Sequence, residues 1–123
     1  MPFGVLYIDD EINNLNSFKA SFRRDFEIYT AQSAREGRKI LDSYEIGVII
    51  TDQRMPGMTG IEFLESILSI YPDTIRILLT GFSDMNAVMD AINRGQVYKY
   101  LVKPWQNDEL RLYIQNEIGR AHV

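Results

Sequence analysis

Residues 46–60 read IGVIITDQRMPGMTG. An apolar, β-branched run ends in an acid, Asp52, and a loop carrying Pro56, Gly57 and Gly60 comes at once after it. The run is too short and too uniformly apolar for an amphipathic helix. It reads as a strand buried on both faces, as in a parallel sheet. An acid at the carboxyl end of such a strand stands where open α/β sheets place their ligands. An aspartate there also serves as a plain loop cap, and Asp52 alone does not separate the two readings. The residues that the rest of the chain sets beside it do.

Working outward, four more strand-like runs flank this one, so that strands are predicted at 3–8, 26–29, 46–51, 75–79 and 98–102. Helical periods lie between them. Leu15, Phe18 and Phe22 share one face of the first helix, with Asn13 or Asn14 as its cap. The second opens with Ser33-x-x-Glu36, a capping-box pattern, and buries Ala34, Ile40 and Leu41. The third opens with Thr59-x-x-Glu62 and runs through Ile61, Leu64, Leu68 and Tyr71 to stop before Pro72. The fourth runs from near Ser83 to Arg94-Gly95 with a thin apolar face of Val88, Ala91 and Ile92. The fifth covers 107–120, with Leu110, Tyr113 or Ile114, and Ile118 inward. Strict strand–helix alternation implies a parallel sheet with right-handed crossovers and helices on both faces. The fold class expected is α/β, a flavodoxin-like doubly wound five-stranded parallel sheet in the order 2-1-3-4-5.

The chain of 123 residues is read as one domain, 1–123. Its net charge of −4 and lack of any Lys/Arg cluster speak against direct binding of nucleic acid or anionic membrane. There are no cysteines, which excludes disulfides, thiol catalysis and thiolate metal sites. No apolar run approaches the ~20 residues that a membrane span needs. The opening MPFGVLYIDDE has no basic flank and runs straight into a strand, unlike a signal peptide, so a cytoplasmic location is the default.

The residues just beyond each strand form a set. Strand 1 ends in Asp9-Asp10-Glu11, strand 3 in Asp52, strand 4 in Thr80-Gly81 and strand 5 in Lys103-Pro104. In the expected order, strands 1 and 3 are neighbours, so three acids, a hydroxyl and an amine converge on one sheet edge. Paired carboxylates ~4 Å apart repel by about 4 kcal/mol at an effective dielectric constant near 20. A divalent cation relieves that. Oxygen-only ligands without nearby His or Cys select Mg2+ or Mn2+ over zinc. Asp52 can then be a nucleophile toward phosphorus, with Lys103 and Thr80 contacting phosphoryl oxygens. Phosphoryl transfer asks for little beyond positioning and charge neutralisation.

The ordered set YIDDE, ITDQRMPGMTG, LLTG and YLVKPW closely resembles the response-regulator receiver domains of two-component signal transduction, over the whole chain. The resemblance implies that Asp52 is the phosphoacceptor, taking a phosphoryl group from the phosphohistidine of a sensor histidine kinase or phosphotransfer protein. It implies that Asp10 and Asp52 bind Mg2+ directly, Asp9 through water, and the backbone carbonyl of Arg54 as a further ligand. Thr80 and Lys103 would contact the phosphoryl group, and the Lys103-Pro104 peptide would be cis. Thr80 and Tyr100 would form the switch, remodelling the face made by the fourth helix, fifth strand and fifth helix. That face would control a fused or separate output domain, or a second copy of the chain. Arg54 and Phe82 stand where the family tunes dephosphorylation; Arg54 reads equally as a solvated loop residue. Gly81 stands where the family often has alanine. Tyr98-Lys99 replaces an acidic pair that builds one kind of dimer in the family. The run RGQVYKYLVKPW is similar to receivers attached to cyclic-dinucleotide phosphodiesterases or transcriptional activators. Trp105 reads as a packed lid, Met55 as core-facing, and His122 as a linker residue.

Two other functions fit the fold. An aspartate-nucleophile phosphatase would want D-x-D-x-T after a strand, but the residue two past Asp52 is Arg54. A flavin module would want a Ser/Thr/Gly loop after strand 1 to cradle phosphate. Asp9-Asp10-Glu11 would repel that phosphate.

Overall fold

A computed structural model describes residues 4–94, 99–104 and 106–121; of Phe82 and of 118–121 it describes backbone only. The elements alternate as β1 (Gly4–Ile8), α1 (Ile12–Phe22), β2 (Glu27–Ala31), α2 (Ala34–Ser43), β3 (Val48–Asp52), α3 (Gly60–Ile67), β4 (Ile75–Thr80), α4 (Met85–Asn93), β5 (Lys99–Val102) and α5 (Asn107–Ala121). All pairings are parallel, in the order β2-β1-β3-β4-β5. This is the expected flavodoxin-like sheet.

Strand side chains alternate faces, and the alternation splits the core in two. Leu6, Ile8, Ile49 and Leu78 face one way, against Leu41 of α2, Phe63, Leu64 and Ile67 of α3, and Val88 and Ala91 of α4. Val5, Tyr7, Ile50, Ile77 and Leu79 face the other way, against Leu15, Phe18 and Phe22 of α1 and Leu110 and Ile114 of α5. Every residue of β1 and β3 is buried, which is why those runs read as uniformly apolar. Gly37 lets α2 lie close on β1: a Cβ there would stand 2.6 Å from Ile8 Cδ1.

Several boundaries differ from the sequence reading. β2 starts at Glu27, because Phe26 is engaged with α1: its N–H donates to Phe22 O at 3.1 Å and its ring lies 6.5 Å from that of Phe22. β3 starts two residues later than expected, and both β3 and β4 run through to the site residues Asp52 and Thr80. Neither Asn13 nor Asn14 caps α1. Glu11 holds the cap position without a side-chain bond, and the Asn14 amide turns to Asp9 instead. Ser33 caps α2 by accepting from Glu36 N, but the Glu36 carboxylate takes the N–H of Gln32, so the reciprocal half of the box is displaced by one residue. Only Leu41 of the three expected core residues of α2 is fully buried; Ala34 and Ile40 pack at the margin. The Thr59/Glu62 box on α3 is complete.

α3 ends at Ile67 rather than at Tyr71. The N–H of Leu68 and of Ile70 reach back three residues, to Glu65 and Ile67, so the chain tightens out of the α-helix. The apolar period continues because Tyr71 still packs on the core, its hydroxyl on Leu41 O and Asp42. One helical bond also survives the tightened turn, from Tyr71 N to Ile67 O at 2.8 Å. One turn of 3-10 helix, Phe82–Asp84, precedes α4, which begins at Met85. Phe3, Gly95, Tyr98, Trp105 and His122, and the side chain of Ile118, lie outside the described residues.

Candidate phosphoacceptor site

The sheet order brings the carboxyl ends of β1 and β3 side by side, and with them three acids. Asp9, directly after β1, is fully buried. Its Oδ2 accepts from the Tyr7 hydroxyl at 2.7 Å and from Asn14 Nδ2 at 3.1 Å, and its Oδ1 from Glu11 N at 3.0 Å. Asp10 is exposed. Asp52, the last residue of β3, is 7% exposed. One carboxylate oxygen from each of the three lies within 4.8 Å of the others.

The loop after Asp52 is fixed from both sides. Gln53 N donates to Leu79 O on β4, and the Gln53 side chain accepts from Ile61 N at the start of α3. Gly60 donates its N–H to Gln53 O, and a Cβ there would run into the Asp52 carbonyl and stand 2.7 Å from Leu78 Cδ1. Only glycine lets α3 begin so close to the acid. Gly57 makes the turn before it with φ +83°. Met55 is buried as expected, under the Thr51 hydroxyl, and Met58 is exposed.

Lys103 reaches the acids from β5. Its Nζ forms an ion pair with Asp52 Oδ1, its backbone N–H donates to Thr80 O at 2.8 Å, and its peptide bond to Pro104 is cis. Thr80 is buried at the end of β4, with its hydroxyl donated to Gly81 O at 3.2 Å. Among the described residues, no heavy atom outside Gly81 and its chain neighbours lies within 4 Å of where a Gly81 Cβ would stand. A cavity of about 300 Å³ lies between Asp52, Arg54, Gly81, Asp84 and Lys103.

Arg54 is exposed but engaged. Its Nε lies 3.0 Å from Asp84 Oδ2, and its second nitrogen donates to Asp84 Oδ1 and Ser83 Oγ. A two-pronged bridge therefore links the loop after β3 to the turn before α4. The Phe82 side chain lies outside the described residues. Tyr100 is half-buried on β5 and packs on the cluster that holds Val88 and Ala91 of α4.

Burial pushes the Asp52 carboxyl above the usual range. The hydrogen bond and charge of Lys103 oppose that, and the charges of Asp9 and Asp10 add to it. Burial, followed by the bond to Asp9, likewise holds the Tyr7 phenol well above its ordinary value. The arrangement thus concentrates negative charge that a small hard cation would offset. Its donors are carboxylate oxygens, with neither imidazole nor thiolate, and they suit Mg2+.

Strand-end acids, one of them paired to a lysine from a neighbouring loop, at the switch point of a doubly wound sheet define a phosphoryl-accepting signalling site. The comparisons agree: the model of the response regulator receiver domain matches residues 5–115, and this chain belongs to that family, the phosphoacceptor modules of two-component systems. It is 36% identical over 106 residues to the hydrogenase transcriptional regulatory protein HoxA of Cupriavidus necator, covering 86% of this chain and 22% of that protein. It is 30% identical to the regulatory protein AtoC of Escherichia coli, covering 93% of this chain and 25% of that one. The chain thus spans about a quarter or less of these relatives. Among solved structures, the response regulator receiver domain protein from Clostridium thermocellum superposes with a TM-score of 0.88 at 35% identity, covering 96% of this chain and 95% of that one. Among the described residues no helix is long and apolar enough to cross a membrane.

The structure brings Asp9, Asp10, Asp52 and Lys103 together, with Thr80 bonded to the Lys103 backbone. Sequence reasoning missed Tyr7, Gln53 and Asp84, and took Asn14 for a cap. A buried strand tyrosine two residues before an acid was the available signal for Tyr7, since such a hydroxyl needs a partner. The Arg54–Asp84 bridge joins positions 30 residues apart and left no mark in local spacing.

Proposed function

We propose that Asp52 is the phosphoacceptor of this receiver domain, with a phosphohistidine of a sensor histidine kinase or phosphotransfer protein as donor. The observation that carries this reading is the Asp52 carboxylate, ion-paired to Lys103 and within 4.8 Å of two further acids. A carboxylate oxygen of Asp52 attacks phosphorus, the new O–P bond forms as the donor's N–P bond breaks, and the imidazole nitrogen keeps the electron pair. Lys103 exchanges its bond to Asp52 for one to a phosphoryl oxygen, and the Thr80 hydroxyl turns from Gly81 O to another. Asp10, Asp52 and the Arg54 carbonyl, with Asp9 through water, would hold Mg2+ or Mn2+, which supplies positive charge opposite the phosphoryl oxygens.

The departure of the Thr80 hydroxyl opens room for Tyr100 to turn inward, and the face of α4, β5 and α5 changes with it. That face then serves an output domain, fused or separate, or a second copy of the chain. The relatives' names support an output that regulates transcription, with this domain making no nucleic-acid contact of its own. The domain catalyses only its own phosphorylation and dephosphorylation, in the cytoplasm. Arg54 and Phe82 slow the loss of phosphate by crowding the path of the attacking water.

Intact mass after incubation with a small phosphodonor and Mg2+ tests the reading. One added phosphoryl group is expected, abolished by EDTA and by Asp52→Asn. Equal labelling of Asp52→Asn would overturn it.

A further inference from the structure

We propose that Tyr7, together with Asn14, is a positioning residue for the acidic pocket, holding the Asp9 carboxylate where a divalent cation needs it. The inference rests on the reading of Asp9, Asp10 and Asp52 as a Mg2+ site.

Tyr7 has no exposed surface, and its ring is fixed by stacking on Phe18 of α1, with centroids 4.3 Å apart and planes 22° off parallel. On a strand, residues i and i+2 share a face, so the phenol of Tyr7 points along the same side from which Asp9 leaves β1. The hydroxyl ends 2.7 Å from Asp9 Oδ2. Asn14, on the first turns of α1, donates to the same oxygen from outside. Two donors, one buried in the core and one on a helix, therefore aim the carboxylate.

Aiming is needed because the geometry is unfavourable without a cation. Carboxylate oxygens within 4.8 Å of one another repel strongly in a half-buried pocket. A carboxylate free to rotate would turn away from Asp52 and Asp10. The donors on Oδ2 and Glu11 N on Oδ1 resist that, and the pocket is preorganised before the ion arrives. A carboxylate already accepting three hydrogen bonds reaches an ion best through water, which agrees with the indirect part assigned to Asp9. An apolar ring at position 7 would fill the core equally well but leave Oδ2 with Asn14 alone.

Outer-shell partners of metal ligands typically contribute 10–100-fold to affinity. Calorimetric titration of the unphosphorylated chain with MgCl2 reads this directly. Tyr7→Phe keeps the stacked ring and removes one donor; because Asp9 acts through water, its Kd is expected to rise by about three- to tenfold, at or below the low end of that range. Asn14→Ala, at an exposed position, is expected to weaken binding by a smaller factor. Thermal melts in EDTA and in Mg2+ accompany both. A purely structural role would lower the melting temperature equally in the two conditions and leave Kd unchanged, and that result overturns the inference. If Tyr7→Phe loses its cooperative melt, an Asn14→Ala affinity within twofold of wild type overturns it. Wild-type protein that binds no Mg2+ would overturn instead the reading on which it rests.

Discussion

The centre and one edge of the sheet are built differently. In the centre β1 and β3 are buried end to end and present Asp9 and Asp52 from inside the core. At the edge, β5 is a four-residue strand with no fully buried residue, and α4 sets only Val88 and Ala91 fully into the core. The difference teaches how a receiver divides its labour. Acids that must stay close against their own repulsion are held by strands whose every side chain is packed. On the function proposed above, the elements that change shape with phosphorylation are the less buried ones, and local stability rises with packing density.

Mutations can break this contrast. Ile50→Ala in β3 is expected to lower stability by about 3–4 kcal/mol, since it empties a fully buried site between two strands. Met89→Ala, on the exposed side of α4, should cost under ~0.5 kcal/mol by chemical denaturation. Equal losses at the two positions would show that centre and edge are equally packed.

A second prediction concerns charge at the end of the tightly packed centre. The Asp52 carboxyl is raised in the folded chain, so folding favours its neutral form and the ionised form opposes folding. Asp52→Asn is therefore expected to stabilise the Mg2+-free protein near pH 7, read as a higher Tm. The gain is full above the raised value and fades as pH falls through it toward the ordinary carboxylate range of about 4, where the wild type is itself protonated. Saturating Mg2+ should reverse the order of the two melting temperatures. A variant less stable than wild type in EDTA at pH 7 would refute the sign.

The third prediction lies where the centre meets the edge. Arg54→Ala breaks the bridge to Asp84, an exposed pair, so stability should change by less than ~1 kcal/mol. The phosphoryl group should nevertheless be lost faster, by a few-fold at least, as followed by intact mass over time. Asp84→Ala leaves the arginine in place but unanchored and sharpens the test: a lifetime shortened as much as by Arg54→Ala would assign the effect to the bridge. The smallest change in stability is expected at Tyr100→Phe, which keeps the ring on the core. Partner affinity should keep its dependence on phosphorylation there and lose it in Tyr100→Ala.

Much of this was legible from residues alone. The carboxyl ends of strands are fixed points of an alternating fold, so the residues at and just past those ends located Asp9, Asp10, Asp52, Thr80 and Lys103. Boundaries were less legible, because single helical bonds and core packing persist for a few residues past the end of a regular helix. Phe26 is buried as part of the α1 corner rather than in β2, and Tyr71 keeps a helical period after α3 has ended.

The sequence by itself indicated the fold class through its strand–helix alternation, made 2-1-3-4-5 the leading strand order, and carried the resemblance to the family in its strand-end motifs, since these are local properties that the chain carries wherever it goes. Only the tertiary structure decided which groups support the acids: the Tyr7 and Asn14 donors on Asp9, the Gln53 clasp on α3 and the Arg54 bridge to Asp84. Such partners are chosen by which polar atoms end up facing one another once loops are packed. That depends on side-chain directions in three dimensions, and spacing along the chain does not encode it.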